Sequence, residues 1–147
     1  MILMYNFENN SDLGENNTYV VDLTGNGNNG LAESDATYVS TGKYGGSFNF
    51  DGSLGQLDMG DVDELDGTEH FTISAWVKIM GQTGTVQEIV SKVGSSSGNY
   101  FVGFDSSLVM RAGIYSGNWR SYTQGDSLST ETWYHVSYVI DGSNSIS

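Results

Sequence analysis

The segment DLTGNGNNG, residues 22–30, places one carboxylate, Asp22, ahead of three glycines and three asparagines. Glycine and asparagine adopt left-handed backbone conformations cheaply, so such a loop can turn its carbonyl oxygens inward. Carbonyls gathered around a carboxylate suit a hard cation, and calcium takes about six to eight oxygen ligands. The same residues also make a tight metal-free turn between strands. Residue types alone leave both readings open.

A second acidic stretch, DMGDVDELDGTE at 58–69, has the composition of an EF-hand loop without its spacing. Asp61, Asp63, Asp66 and Gly67 put one residue too many between the second and third acids, and no glutamate stands at the closing position. The stretch reads as a solvated connection in which Leu65 plugs the core. The two histidines, His70 and His135, are accompanied by no cysteine and no H-E-x-x-H arrangement, so neither a zinc site nor a nucleophilic triad is indicated. His135, inside an aromatic run, reads as a hydrogen-bonded core or interface residue, and His70 as a strand-entry residue.

Aromatic side chains are the remaining candidates for ligand contact. Tyr115, Asn118, Trp119, Arg120 and Tyr122 cluster in YSGNWRSY close to Gln124. Rings of this kind stack on a sugar, and the polar neighbours can bond its hydroxyls. Tyr100 and Trp76 can join from neighbouring strands. Ordinary packing in a sandwich is the competing explanation.

The elements that must position these groups are strands. Twenty glycines, no proline and 12% aromatic residues argue against helices, because glycine costs about 1 kcal/mol per helical position relative to alanine. In HFTISAWVKIM, residues 70–80, Phe71, Ile73, Ala75, Val77 and Ile79 share one face, opposite Thr72, Ser74, Trp76, Lys78 and Met80. Further strands are expected at MILMYNF (1–7), GSFNFD (46–51), QEIVSK (87–92), NYFVGFD (99–105), LVMRAGIY (108–115) and TWYHVSYVI (132–140). Turns are expected at 94–99, 105–107, 116–118 and 141–144. No helical period, internal repeat or linker interrupts this pattern, so one domain over residues 1–147 is expected. The formal net charge of -13 would repel phosphate backbones and anionic lipid, which speaks against nucleic-acid binding. The chain as given shows no signal peptide and no window of transmembrane length.

Taken in order, Phe7-Glu8, the loop from Asp22 to Gly30, GKYGGSFNFDG at 42–52, FTISAWVK at 71–78, IVSK at 89–92 and W-Y-H-V at 133–136 resemble the laminin-G-like branch of the concanavalin A-like lectin/glucanase superfamily. The resemblance implies an all-β, antiparallel two-sheet jelly-roll sandwich. It also implies a structural calcium held by Asp22, the backbone oxygens around Gly25, Asn26 and Asn28, and Glu8. The superfamily's glucanases carry carboxylates at alternate positions of one strand, whereas here Asp61 and Asp63 are followed by Leu65. Family members continue beyond the Asp141-Gly142 turn, so the fold is expected to lack its last strands, leaving an edge that invites a homodimer or strand-swapped oligomer. The expected function is a non-catalytic recognition module, extracellular or cell-surface, whose partner is carbohydrate or an extracellular protein. The alternatives are a glucanase-like glycoside hydrolase and a structural or adhesive fragment of a larger surface protein.

Overall fold

The computed structural model describes residues 1–66, 68, 70–92, 99–115 and 118–141, with the side chain of Trp119 outside that set. The chain divides into two compact units, Met1–Glu64 and Leu65–Ser147. Both are built from antiparallel strands, and the fold is all-β, consistent with a jelly-roll sandwich.

In the first unit, Gly, Asn and Asp interrupt every apolar run, so the strands are short. Strands β1 (Tyr19–Val20), β2 (Gly30–Glu33) and β5 (Gln56–Asp58) form one sheet in the order β1-β2-β5, and β3 (Thr37–Val39) pairs with β4 (Ser47–Asn49). A Cβ on Gly30 would lie 2.9 Å from the Leu57 side chain, so only glycine lets β2 and β5 approach this closely. Phe48 gathers Phe7 and Tyr38 edge-on, with ring centroids 5.5 and 6.0 Å away. The expected opening strand over residues 1–7 is not formed. Its backbone groups go mainly to loop side chains rather than to a ladder, and Phe7 and Asn9 have φ of 57° and 55°, which ends the extended run.

The second unit carries the longer alternating runs. Strands β6 (His70–Lys78) and β11 (Trp133–Asp141) pair along their full nine-residue lengths. Strands β7 (Gln87–Lys92), β8 (Tyr100–Phe104), β9 (Met110–Tyr115) and β10 (Trp119–Gln124) form a sheet in the order β10-β9-β8-β7. The inward faces of the two sheets meet in one cluster containing Val102, Phe104 and Ala112 from one side and Val136 and Tyr138 from the other. Each fully buried aliphatic or aromatic side chain contributes about 1.5–3 kcal/mol, so this cluster is the main source of cohesion for the unit. Burial alternates residue by residue along β6, leaving Thr72, Ser74, Trp76 and Lys78 outward as the period of two requires. Strands β8 and β9 fall within the runs expected at 99–105 and 108–115, with all five residues of β8 buried. Of the turns expected at 94–99, 116–118 and 141–144, residues 94–98, 116–117 and 142–144 lie outside the described residues.

Candidate functional site

The glycine-asparagine loop closes on a buried anion. Asp22 is 3% exposed, and its carboxylate accepts from the N–H of Met4 (3.1 Å), the N–H of Thr24 (3.0 Å), the Thr24 hydroxyl (2.7 and 2.8 Å) and the N–H of Asn28 (3.3 Å). Burial alone pushes this carboxyl's pKa up. The bonds from Thr24, Met4 and Asn28 more than offset that and hold it below the ordinary value of 3.8. The Asp22 N–H in turn donates to Asn29 Oδ1 at 2.9 Å. Gly25 and Gly27 take φ of 81° and 88°, the left-handed conformations that let the chain wrap the carboxylate.

The same loop holds the start of the chain. The Ile2 carbonyl accepts from Asn26 Nδ2 (2.8 Å) and Asn28 Nδ2 (3.3 Å), while Leu23 N–H donates to the Met4 carbonyl at 2.9 Å. The Tyr5 hydroxyl donates to the Asn28 carbonyl; burial, with the negative charge of Asp22 second, pushes its pKa up. A second buried carboxylate, Glu15, does comparable work nearby, accepting from Asn10 N–H at 2.7 Å and Val21 N–H at 3.2 Å. Nothing in the local sequence sets Glu15 apart, because its partners are main-chain groups.

Of the residues that the resemblance assigns to calcium, Asp22, Gly25, Asn26 and Asn28 share this loop. Glu8 instead accepts from Gly46 N–H at 3.4 Å, beside Gly45, whose φ of 68° leaves room for the Glu8 carboxylate where a Cβ would stand. The donor set fits a hard cation in part. Asp22 is ionised, and among the described residues the carbonyl oxygens of Gly25 and Asn26 accept no hydrogen bond. The Asn28 oxygen is taken by Tyr5, and a cation would share Asp22 with the N–H donors already on it.

The aromatic cluster on β9 and β10 is divided by the sheet. Tyr115 pairs with Trp119, whereas Arg120 and Tyr122 pair with Ile114 and Ala112. Ala112 is 1% exposed and belongs to the core, so the register turns Arg120 and Tyr122 toward the core face. Asn118 is exposed at the start of the hairpin's second arm. Arg120 and Tyr122 therefore lie on one face of the ribbon and Tyr115 on the other. Tyr100, expected to join them, is 4% exposed and buried.

Strands β6 and β11 present a different constellation to solvent. Register places Trp76 opposite His135, Ser74 opposite Ser137 and Lys78 opposite Trp133. Ser74 Oγ lies 2.8 Å from His135 Nε2, and the Trp76 and His135 rings are 5.3 Å apart at 58°. Lys78 Nζ stands 5.4 Å from the centroid of the Trp133 ring. Trp76 is 41% exposed. His135 is thus an outward hydrogen-bonded residue rather than a core one, because alternation along β11 sends Tyr134, Val136 and Tyr138 inward. In the acidic stretch Val62, 4% exposed, is the buried residue, and Leu65 is only half-buried.

Among the described residues no helix is long and apolar enough to cross a membrane. A laminin G family model, described as the concanavalin A-like lectin/glucanases superfamily, matches residues 51–147. That span takes in β5 to β11 and leaves the loop at 22–30 outside it. Neither the curated proteins nor the solved structures searched returned a match.

Proposed function

Because the chain belongs to the concanavalin A-like lectin/glucanase superfamily, and so is a lectin-like or adhesive module in general, we propose that it is a non-catalytic recognition module of extracellular type that binds glycan or a protein surface through the outward face of β6 and β11. The observation that carries this reading is the Trp76–His135–Ser74 group. An exposed indole offers a flat apolar face to the C–H side of a sugar ring, while an imidazole and a hydroxyl 2.8 Å apart sit beside it to meet sugar hydroxyls. Pairing fixes all three side chains on one rigid ribbon, which lowers the ordering cost of binding. Against catalysis stands the acidic stretch, where Leu65 occupies the position a third carboxylate would need.

Calcium belongs to the proposal as a structural ion, with Asp22 as its carboxylate and the carbonyls of Gly25 and Asn26 as further ligands. It would supply positive charge to the loop and no chemistry. Glu8, engaged at Gly46, is not needed for it.

A glycan array probed with and without calcium, using the wild-type chain and Trp76→Ala, tests the function. Retention by the wild type and loss in Trp76→Ala at an unchanged melting temperature is the expected result. Equal retention by both proteins, or retention abolished instead by Tyr115→Ala, would overturn the assignment of the surface.

A further inference from the structure

The sequence contains two Asn–Gly dipeptides, Asn26–Gly27 and Asn29–Gly30, only three residues apart in one loop. Asn–Gly is the pairing in which a backbone nitrogen most easily attacks the preceding side chain, because glycine has no Cβ to obstruct the approach. The structure treats the two very differently.

Gly27 has φ of 88°, and nothing lies within 4 Å of the position its Cβ would occupy. Asn26 and Gly27 are both exposed, neither lies in a strand, and among the described residues the Gly27 N–H donates no hydrogen bond. Gly30, by contrast, is buried in β2 against Leu57. Ala32 N–H donates to the Thr18 carbonyl at 2.7 Å, and antiparallel ladders alternate, so the Val20–Gly30 pair two residues along is also a hydrogen-bonded pair. The Gly30 nitrogen is therefore committed to the ladder. Both asparagine side chains are held, Asn29 by the Asp22 N–H on its Oδ1 and Asn26 through its own amide donors, so the glycine nitrogens make the difference.

We propose that Asn26 is a self-modification site of the folded protein and that Asn29 is protected from the same reaction. The Gly27 nitrogen bonds to Asn26 Cγ, the Cγ–Nδ2 bond breaks, and Nδ2 leaves as ammonia with the proton from Gly27. Water then opens the resulting cyclic imide at either carbonyl, giving aspartate or isoaspartate at position 26. No oxidant, metal or enzyme is required.

The product alters what the loop holds. The Asn26 amide donates to the carbonyls of Met1 (3.3 Å) and Ile2 (2.8 Å). A carboxylate there has no proton to give and repels both oxygens, so the first residues lose part of their anchorage. The reaction thus couples the age of the protein to release of its opening segment, independently of any ligand.

The test is to incubate the folded protein in mildly alkaline buffer and follow both dipeptides by peptide mapping with mass spectrometry that separates aspartate from isoaspartate. A parallel sample is kept in denaturing urea. Conversion at Asn26 about tenfold or more faster than at Asn29 in the folded sample, with the two rates converging in urea, is expected, since reaction at Asn29 must wait for local opening of β2. Equal rates in the folded sample, faster conversion at Asn29, or conversion of both sites only in urea would overturn the proposal. An Asn26→Asp variant supplies the second readout. Its Met4 amide should exchange with solvent faster than in the wild type, and unchanged exchange would remove the link to the opening segment.

Discussion

The Tyr138 hydroxyl on β11 donates to the Gly103 carbonyl on β8 at 2.8 Å, and both residues are buried. The bond joins the two sheets of the second unit at the centre of their shared core. Burial pushes the Tyr138 hydroxyl pKa up to about 12, so it remains a protonated donor at any ordinary pH. Tyr138→Phe keeps the ring and removes the bond between the sheets, leaving the Gly103 carbonyl with its ladder partner Arg111 alone. A loss of about 0.5–1.5 kcal/mol is expected, read from urea unfolding of the variant beside the wild type. A loss within experimental error would mean that water reaches Gly103.

Gly113 makes a comparable prediction from the opposite cause. A Cβ at this position would lie 2.5 Å from the Phe101 ring, which is itself covered by the Arg111 guanidinium 4.2 Å from its centroid. The ring is buried at 7% exposure beneath that guanidinium and has little room to yield. Gly113→Ala should cost about 1–3 kcal/mol through overpacking, measured the same way. A neutral outcome would show that Phe101 has an alternative rotamer available.

Asp22 gives the first unit a signature in acid. Its pKa is lowered on folding, so its contribution is fully present above the unfolded value near 3.8 and is lost as pH falls through the lower folded value. Asp22→Asn should destabilise by about 1–3 kcal/mol near neutral pH, because an amide cannot accept every N–H now aimed at the carboxylate. Unfolding curves of the two proteins should differ by a constant amount above pH 5 and draw together as the pH drops below about 4. A difference that widens on acidification would contradict the assignment of Asp22 as the ionised acceptor.

Calcium at the loop is tested by heating. If Asp22, Gly25 and Asn26 hold the ion with an affinity of about 10⁻⁴–10⁻³ M, millimolar calcium should raise the melting temperature, chelator should reverse the rise, and Asp22→Ala should abolish the response. A melt that ignores both calcium and chelator would leave the loop as a turn closed by its own N–H groups.

The strands of the second unit were legible because their residues alternate cleanly. HFTISAWVK and WYHVSYVID each turn every second side chain inward, partly buried along β6 and buried along most of β11, so period alone marks both strands. Which exposed residue meets which was not legible. Trp76 and His135 are adjacent only because β11 lies beside β6 in a particular register, and the chain between them forms a separate four-stranded sheet. The same limit explains the β9–β10 cluster. Tyr115, Arg120 and Tyr122 look contiguous in sequence, yet a hairpin ribbon sends alternate residues to opposite faces. The opening segment departs from the expected strand for a local reason. MILMYNF has strand-like composition, but Asp22, Asn26 and Asn28 satisfy much of its backbone with side chains, a pattern that no periodicity records.

The central claim is that the outward face of β6 and β11 is the recognition surface. The most direct measurement is a nuclear magnetic resonance titration of the wild-type chain with a glycan retained on the array, following indole and backbone N–H signals. The account predicts shifts at the Trp76 indole and the backbone of Ser74 and His135, with Tyr115 and Tyr122 unmoved. Shifts concentrated on β9 and β10, with Trp76 unaffected, would contradict it.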